Sequence, residues 1–388
     1  MVPFRYNVRS LFVRKVTTIA TALGIALVVF VFAAALMLGE GVERALVSSS
    51  RPENVIVLRK GSDAELSSSM SQDVLGLLRG NSAVAQGEGG GVIGEVILVI
   101  TAELEGKGES QISNVLIRGM PAEGMKFRPE ARIVSGRAPQ PGTNEVIVGK
   151  AIAGRFKGVS EGGTFELRRN RPLKVVGTFA ADGTSFESEV WGDLDVIRTS
   201  VGRQASVSSA RVRLNSPADF ETYRTTMEAD KRANVKVQRE ADYYSKQSEQ
   251  TSGFLVGLGT VVAILFSLAA MIGAAITMNG AVAHRTKEIG TLRALGFSRI
   301  AILVSFVLEA LLLALIGGVV GLAFVQLLAL VSFPVMNFQT FSEIVIAFKA
   351  TPNVLISALV FSLVMGLVGG LVPAIRAARV SPVEAMRG

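Results

Sequence analysis

Four long apolar runs divide the chain: Val16–Leu38, Phe254–Met278, Ile300–Phe333 and Val354–Ile375. A helix needs about 20 residues to cross ~30 Å of hydrocarbon, and each run reaches that length. Three runs contain no charge. The third carries only Glu309 and exceeds a single span, so it is expected to tilt or to end near Leu328 with an interfacial tail. The predicted spans are 16–38, 253–278, 300–332 and 354–375. They leave one long exported insert, 39–252, and a short exported loop, 333–353.

Within the insert the pattern turns mixed. Asn54–Lys60, Val96–Thr101, Ile112–Arg118, Ala210–Leu214 and Ala233–Arg239 read as strands, and Ser71–Leu78 as a helix. Ser216-Pro217-Ala218-Asp219 opens another helix, with Ser as cap and Pro in the first turn. Over 121–205, short β-like pieces (Glu145–Val148, Thr164–Leu167, Leu173–Phe179) alternate with Gly/Pro turns such as 138–142. This predicts a smaller, mostly-β subdomain inserted in an extracytoplasmic α+β domain. The helical pattern of the first span continues through Gly39–Ser50, and Tyr243–Thr251 leads straight into the second. Both bordering spans are therefore expected to project outward as stiff helices.

The stretch Ala283–Ile300 is charged and lies between two apolar runs. Arg285, Lys287, Arg293 and Arg299 outnumber its one acid, Glu288. Ile289, Leu292 and Leu295 recur at three-residue steps, and Gly296 stands where a helix end tolerates positive φ. Two readings fit: an amphipathic helix outside the bilayer, or a plain basic connector on the positive side. Residues 1–15 offer the same choice. Phe4, Val8, Leu11 and Phe12 form a helical stripe after Pro3, as in an interfacial helix, and the flank is also basic.

Charge orients the spans. The insert holds 28 basic and 28 acidic residues, so the net charge of +8 comes wholly from outside it. The excess sits before the first span, in 279–299 and after the last span, which places the N- and C-termini in the cytoplasm. The basic balance thus reports topology, and no basic patch interleaved with aromatics suggests nucleic acid. The first span, at 23 residues, is too long for a secretory h-region and reads as an anchor. Absence of Cys excludes a disulfide scaffold and thiolate metal sites.

Gly317 with Gly321, and Gly366 with Gly370, have the four-residue spacing of close helix packing in lipid. Glu309 lies only a few turns from Arg299 and reads as a structural acid paired with an Arg. Ser381-Pro382-Val383-Glu384 is a capping box that would start a short cytoplasmic C-terminal helix within 376–388.

Catalytic signals are missing. There is no phosphate-binding G-x-x-x-x-G-K-[ST], no H-E-x-x-H and no G-x-S-x-G, and the one His, His284, sits in the basic segment. Gly89, Gly91 and Gly94 match G-x-G-x-x-G formally, but a strand-like segment follows where a helix is needed, so 86–94 reads as a flexible loop. Trp191 reads as local packing. The chain is expected to be non-catalytic, with its energy arriving from another chain.

One span, a large exported domain and three further spans, with R-T-K-E-I-G-T-L-R-A-L-G-F-S-R at 285–299, resemble the MacB-like/FtsX-like permeases of ABC transporters. The family segment is met by Arg285, Glu288, Ile289, Gly290, Ala294 and Gly296. Gly317, Gly318 and Gly321 after Glu309 resemble its third span, and A-A-R-V-S-P-V-E-A-M-R its C-terminus. Ser135–Arg137, Asn144–Gly149 and Val175–Gly177 resemble stretches of its periplasmic core domain. The resemblance implies a permease homodimer in the inner membrane, each copy engaging a separate ATPase that holds ATP and Mg, with no cofactor on this chain. Contact would run through Arg285, Lys287, Glu288, Ile289, Leu292, Arg293, Leu295 and Gly296, with Ser381, Pro382 and Glu384 beside them. Closure of the ATPases would move the exported domains and drive export of an amphiphile, lipid, peptide or drug through a periplasmic adaptor and outer-membrane duct. Two other outputs fit the same machinery: control of a cell-wall hydrolase, and lipoprotein release.

Overall fold

A computed structural model describes residues 15–87, 91–106 and 111–382. The amphipathic stretch proposed for 1–15 therefore lies outside the described residues except for Lys15. Along the chain come α1 (Lys15–Val47), β1 (Asn54–Arg59), β2 (Met70–Ser71), α2 (Val74–Arg79), β3 (Gly91–Glu103), β4 (Ile112–Met120), α3 (Gly124–Phe127), β5 (Arg132–Gly136) and β6 (Glu145–Gly149). Then follow β7 (Thr164–Arg168), β8 (Arg171–Ala180), β9 (Glu189–Asp193), α4 (Leu194–Ser200), β10 (Ser206–Val207), β11 (Ser209–Arg213), α5 (Phe220–Ala229) and β12 (Val235–Arg239). The chain ends through α6 (Glu240–His284), α7 (Thr286–Ala294), α8 (Arg299–Val325), β13 (Ser332–Met336), β14 (Glu343–Ala347) and α9 (Pro352–Ala378).

Among the described residues, four helices are long and apolar enough to cross a membrane: α1, α6, α8 with its trailing turn to Leu330, and α9. At 1.5 Å per residue, the 45 residues of α6 reach roughly 68 Å and the 33 of α1 roughly 50 Å, so both outrun a hydrocarbon core. α8 stops at Val325 and tightens into a 3-10 turn, Gln326–Leu330. α9 starts at the Thr351 cap, with Pro352 in the first turn, and carries on to Ala378. Arg376 is thus the end of a span helix and not the start of a separate C-terminal one.

The chain forms two compact units. One comprises the described parts of Met1–Glu40, Phe254–Val331 and Phe348–Gly388. Its core runs in two clusters, one around Ile25, Val29, Ala314, Ala358 and Met365, the other around Val282, Ile289, Ile302, Phe306 and Ala374. Phe32 stacks on Phe361 with ring centroids 4.4 Å apart.

The other unit is Gly41–Gly253 with Ser332–Ala347. It holds a ten-stranded sheet in the order β12-β1-β11-β3-β4-β9-β6-β8-β5, with β7 on β8. β3 joins its two halves: Gly91–Glu95 pair with β11, and Val96–Glu103 pair with β4. Helices α2 and α5 cover one half, whose core includes Leu78, Val92, Phe220 and Tyr223. The other core gathers Val96, Val115, Ile117, Val148, Val190 and Ile197.

The β-rich stretch expected over 121–205 holds β5–β9, with β6–β9 packed around the second of these cores, and β3, 13 residues long, carries a ladder into each half so that one sheet spans both. Two expectations need correcting. Gly91–Gly94 are strand and not loop; a Cβ on Gly94 would lie 2.8 Å from Leu75 and Val207, so the glycine marks close approach of α2 to the sheet. The loop 333–353 contains the hairpin β13–β14, which belongs to this second unit: Val345 N–H donates to Ser188 Oγ at 2.9 Å and Arg155 Nε to Glu343 Oε2 at 2.8 Å. Pro334 obscured that strand, since proline is confined to edges and two-stranded ribbons.

Candidate functional site

The charged segment folds as a helix seated on the membrane unit. α6 ends at His284, Arg285 adopts a non-helical conformation, and α7 runs Thr286–Ala294. Ile289 and Gly290 are buried and Leu292 half-buried, in the cluster that holds Val282, Phe306 and Ala377. The C-terminus closes with Phe297 N–H on Leu292 O at 3.1 Å and Gly296 N–H on Arg293 O at 3.2 Å. That bond pair needs a left-handed residue between, and Gly296 supplies it at φ +93°. Arg293 Nη1 donates to Phe297 O at 3.0 Å, and the Ser298 hydroxyl caps α8 through Ala301 N.

The expected stripe is therefore divided. Ile289 and Leu292 pack inward, whereas Leu295 is 72% exposed. Lys287, Glu288 and Thr291 form the outer face. Arg285 turns inward instead: its Nη1 donates to Glu309 Oε2 at 3.3 Å. Glu309 thus has an arginine partner as expected, but it is Arg285 and not Arg299, which is exposed. Val380 packs against the same cluster as Ile289; Ser381 and Pro382 are half-buried, and Glu384 lies outside the described residues.

The glycine pairs act at two helix contacts. A Cβ on Gly317 would lie 2.8 Å from Ala22 O and one on Gly321 2.5 Å from Ala26 O, so both seat α8 on α1. Gly366 and Gly370 face Ala314 and Ala310 of α8, where a Cβ would overlap the alanine side chains. Gly259, missed in the sequence, does the same toward Ala35.

A second feature was also missed: a buried ionic cluster in the exported unit. Arg118 grips Glu189 with two bonds of 2.7 and 2.6 Å and reaches Glu95 Oε2 at 2.7 Å. Arg211 pairs with Glu240, with Glu65 at 3.1 Å and with the Tyr244 hydroxyl at 3.0 Å. Arg128 lies 2.6 Å from Glu95 Oε1, an ion pair whose N–H directions miss hydrogen-bond alignment, and its guanidinium sits 4.7 Å over the Phe186 ring. Burial alone would push the Glu95 pKa up, but Arg128, Arg118 and Arg211 outweigh it and hold it down at about 2. Glu65 is likewise depressed: burial is overcome by Arg211 and Arg118. The signal was present as Glu95 and Arg118 inside otherwise apolar stretches, charges that only pairing makes tolerable.

Two family models match this chain: the MacB-like periplasmic core domain over 18–230, more than half its length, and the FtsX-like permease C-terminal region over 260–382. The chain belongs to the MacB-like/FtsX-like permeases. As a member of that family it is an ABC transporter permease and a membrane protein. Among its relatives is the macrolide export ATP-binding/permease protein MacB of Neisseria gonorrhoeae, 24% identical across 99% of this chain and 60% of the relative. The chain thus spans about 60% of the length of that relative. YknZ, an uncharacterised ABC transporter permease of Bacillus subtilis, is 24% identical across 99% of this chain and 98% of its own. Two solved domains resemble part of this chain loosely. The extracellular domain of YknZ gives a TM-score of 0.36 at 16% identity, covering 48% of this chain and 99% of that one. The periplasmic region of MacB from Actinobacillus actinomycetemcomitans gives 0.38 at 11%, covering 51% and 94%.

Proposed function

We propose that this permease couples ATP hydrolysis on a separate ATPase subunit to movement of its exported domain, and that the movement expels an amphiphilic, lipid, peptide or drug substrate. The observation that carries the reading is the two-sided seating of α7. Ile289 anchors it in the membrane unit, while Lys287, Glu288 and Leu295 face outward. A helix held on one face and charged on the other can receive a push and pass it to the helices beneath. α1 and α6 continue without a break beyond span length, which suits them to carry tilt or rotation outward.

In this reading two copies pair in the inner membrane with both termini cytoplasmic, and each engages one ATPase. ATP and magnesium sit on that subunit, and the chain itself catalyses nothing. A periplasmic adaptor and an outer-membrane duct complete the route. Reconstitution of the permease with its ATPase tests the idea. Glu288→Lys, at a side chain 59% exposed, should leave folding and basal ATP hydrolysis intact while abolishing ATP-dependent export. Undiminished export by that variant would refute the coupling role.

A further inference from the structure

The geometry points to a ligand subsite in the exported domain, a pocket shaped for a small apolar ring or branched chain that bears a cationic group. A cavity of about 210 Å³ opens beside the end of β9. An engineered apolar cavity of about 150 Å³ suffices for benzene, so one ring fits. Met120, Ile147 and Trp191 form its buried floor, and Met125, Pro139 and Pro141 its walls. The methionines adapt to the shape of an apolar guest. Trp191 is fixed and already satisfied: its indole N–H donates to Glu189 Oε2 at 2.7 Å and its ring stacks on Phe179 at 4.0 Å. It offers a guest only apolar surface.

The rim is preformed. Two prolines stiffen the 138–142 loop, Gly142 N–H donates to Asp193 Oδ2 at 3.0 Å and Gln140 N–H to Glu145 Oε2 at 3.0 Å. Asp193 is the one charged residue lining the cavity. Its Oδ1 accepts from Asp195 N and Val196 N at the start of α4, so three amides hold the carboxylate in place. A carboxylate has room for about four such bonds, and among the described residues no cationic side chain neutralises this one. An apolar hole with a fixed, unneutralised carboxylate at its edge selects an apolar cation. That the pocket lies on an export route rests on the function proposed above; binding itself does not.

Trp191 is the only tryptophan in the chain, so it reports directly on occupancy. The full chain in lipid nanodiscs would be titrated with 4-iodobenzylammonium and, separately, 4-iodobenzoate, whose heavy atom quenches indole emission on contact. The expected result is saturable quenching by the ammonium, with affinity about fivefold above the carboxylate. Asp193→Asn, which retains an oxygen to cap α4, should remove that preference and keep saturation. Ala122→Phe and Ala138→Phe, at exposed positions of the mouth, should abolish saturation while circular dichroism stays native. Linear quenching in the wild type, equal affinity for the two probes, or saturation undiminished in both mouth variants would each overturn the proposal.

Discussion

Arg285 and Glu309 form an ion pair of 3.3 Å between the residue that precedes α7 and the interior of α8, with side chains 11% and 8% exposed. Removing one member leaves the other charge buried, which typically costs about 3–5 kcal/mol. Glu309→Ala and Arg285→Ala should each lower the thermal unfolding midpoint in detergent, and the double variant should be less destabilised than the sum. A coupling of at least about 1 kcal/mol is expected. Strict additivity would mean that the pair does not hold the segment.

The glycine contacts make an opposing pair of predictions. Gly366→Ala should destabilise by about 1–3 kcal/mol, because the new methyl overlaps Ala314. Gly273→Ala meets nothing within 4 Å, so it should be neutral or gain up to about 1 kcal/mol from helix propensity. Unfolding midpoints of both variants in the same detergent check the sign of each.

Along α7 the inward and outward residues should separate stability from coupling. Ile289→Ala, at 3% exposure, should cost about 2–4 kcal/mol. Leu295→Ala, at 72% exposure, should change stability by no more than about 0.5 kcal/mol yet weaken ATP-dependent export. Thermal melts read the first effect and reconstituted transport the second. Loss of stability at Leu295 with export unchanged would reverse the assignment of the two faces.

Acid should open the exported domain through its buried cluster. Glu95 is held at about 2, below the 4.5 of a free side chain, so its contribution is fully present above pH ~4.5 and fades as the pH falls toward 2. The depressed Glu65 acts in the same direction. Trp191 emission followed from pH 6 to 2 should therefore show a cooperative change below about pH 4.5. Glu95→Gln removes one proton-uptake step and should make the dependence shallower. A midpoint between pH 6 and about pH 4.5 would assign the transition to other groups.

Much of this architecture was legible in the residues. Run length and charge placement gave four spans, and the Gly317/Gly321 and Gly366/Gly370 spacing found real contacts because four residues return to one helix face. The Ile289–Leu292–Leu295 stripe gave a helix but not its outer limit, since Leu295 lies where the Gly296 turn already leads the chain away. The hairpin 332–347 escaped because Pro334 breaks strand expectation, and the residues that seat it, Ser188 and Arg155, lie far earlier in the chain.

Periodicity and charge, which act between near neighbours, determined the membrane helices, the alternation of strands in the insert and the amphipathic character of 285–296. Tertiary structure alone decided that β3 joins both halves of one sheet, that Arg285 and not Arg299 meets Glu309, and that three arginines and four glutamates share a buried site. Those choices depend on residues tens to hundreds of positions apart meeting in space. Which distant charge neutralises a buried one is set by the packing of whole elements, and no local pattern encodes it.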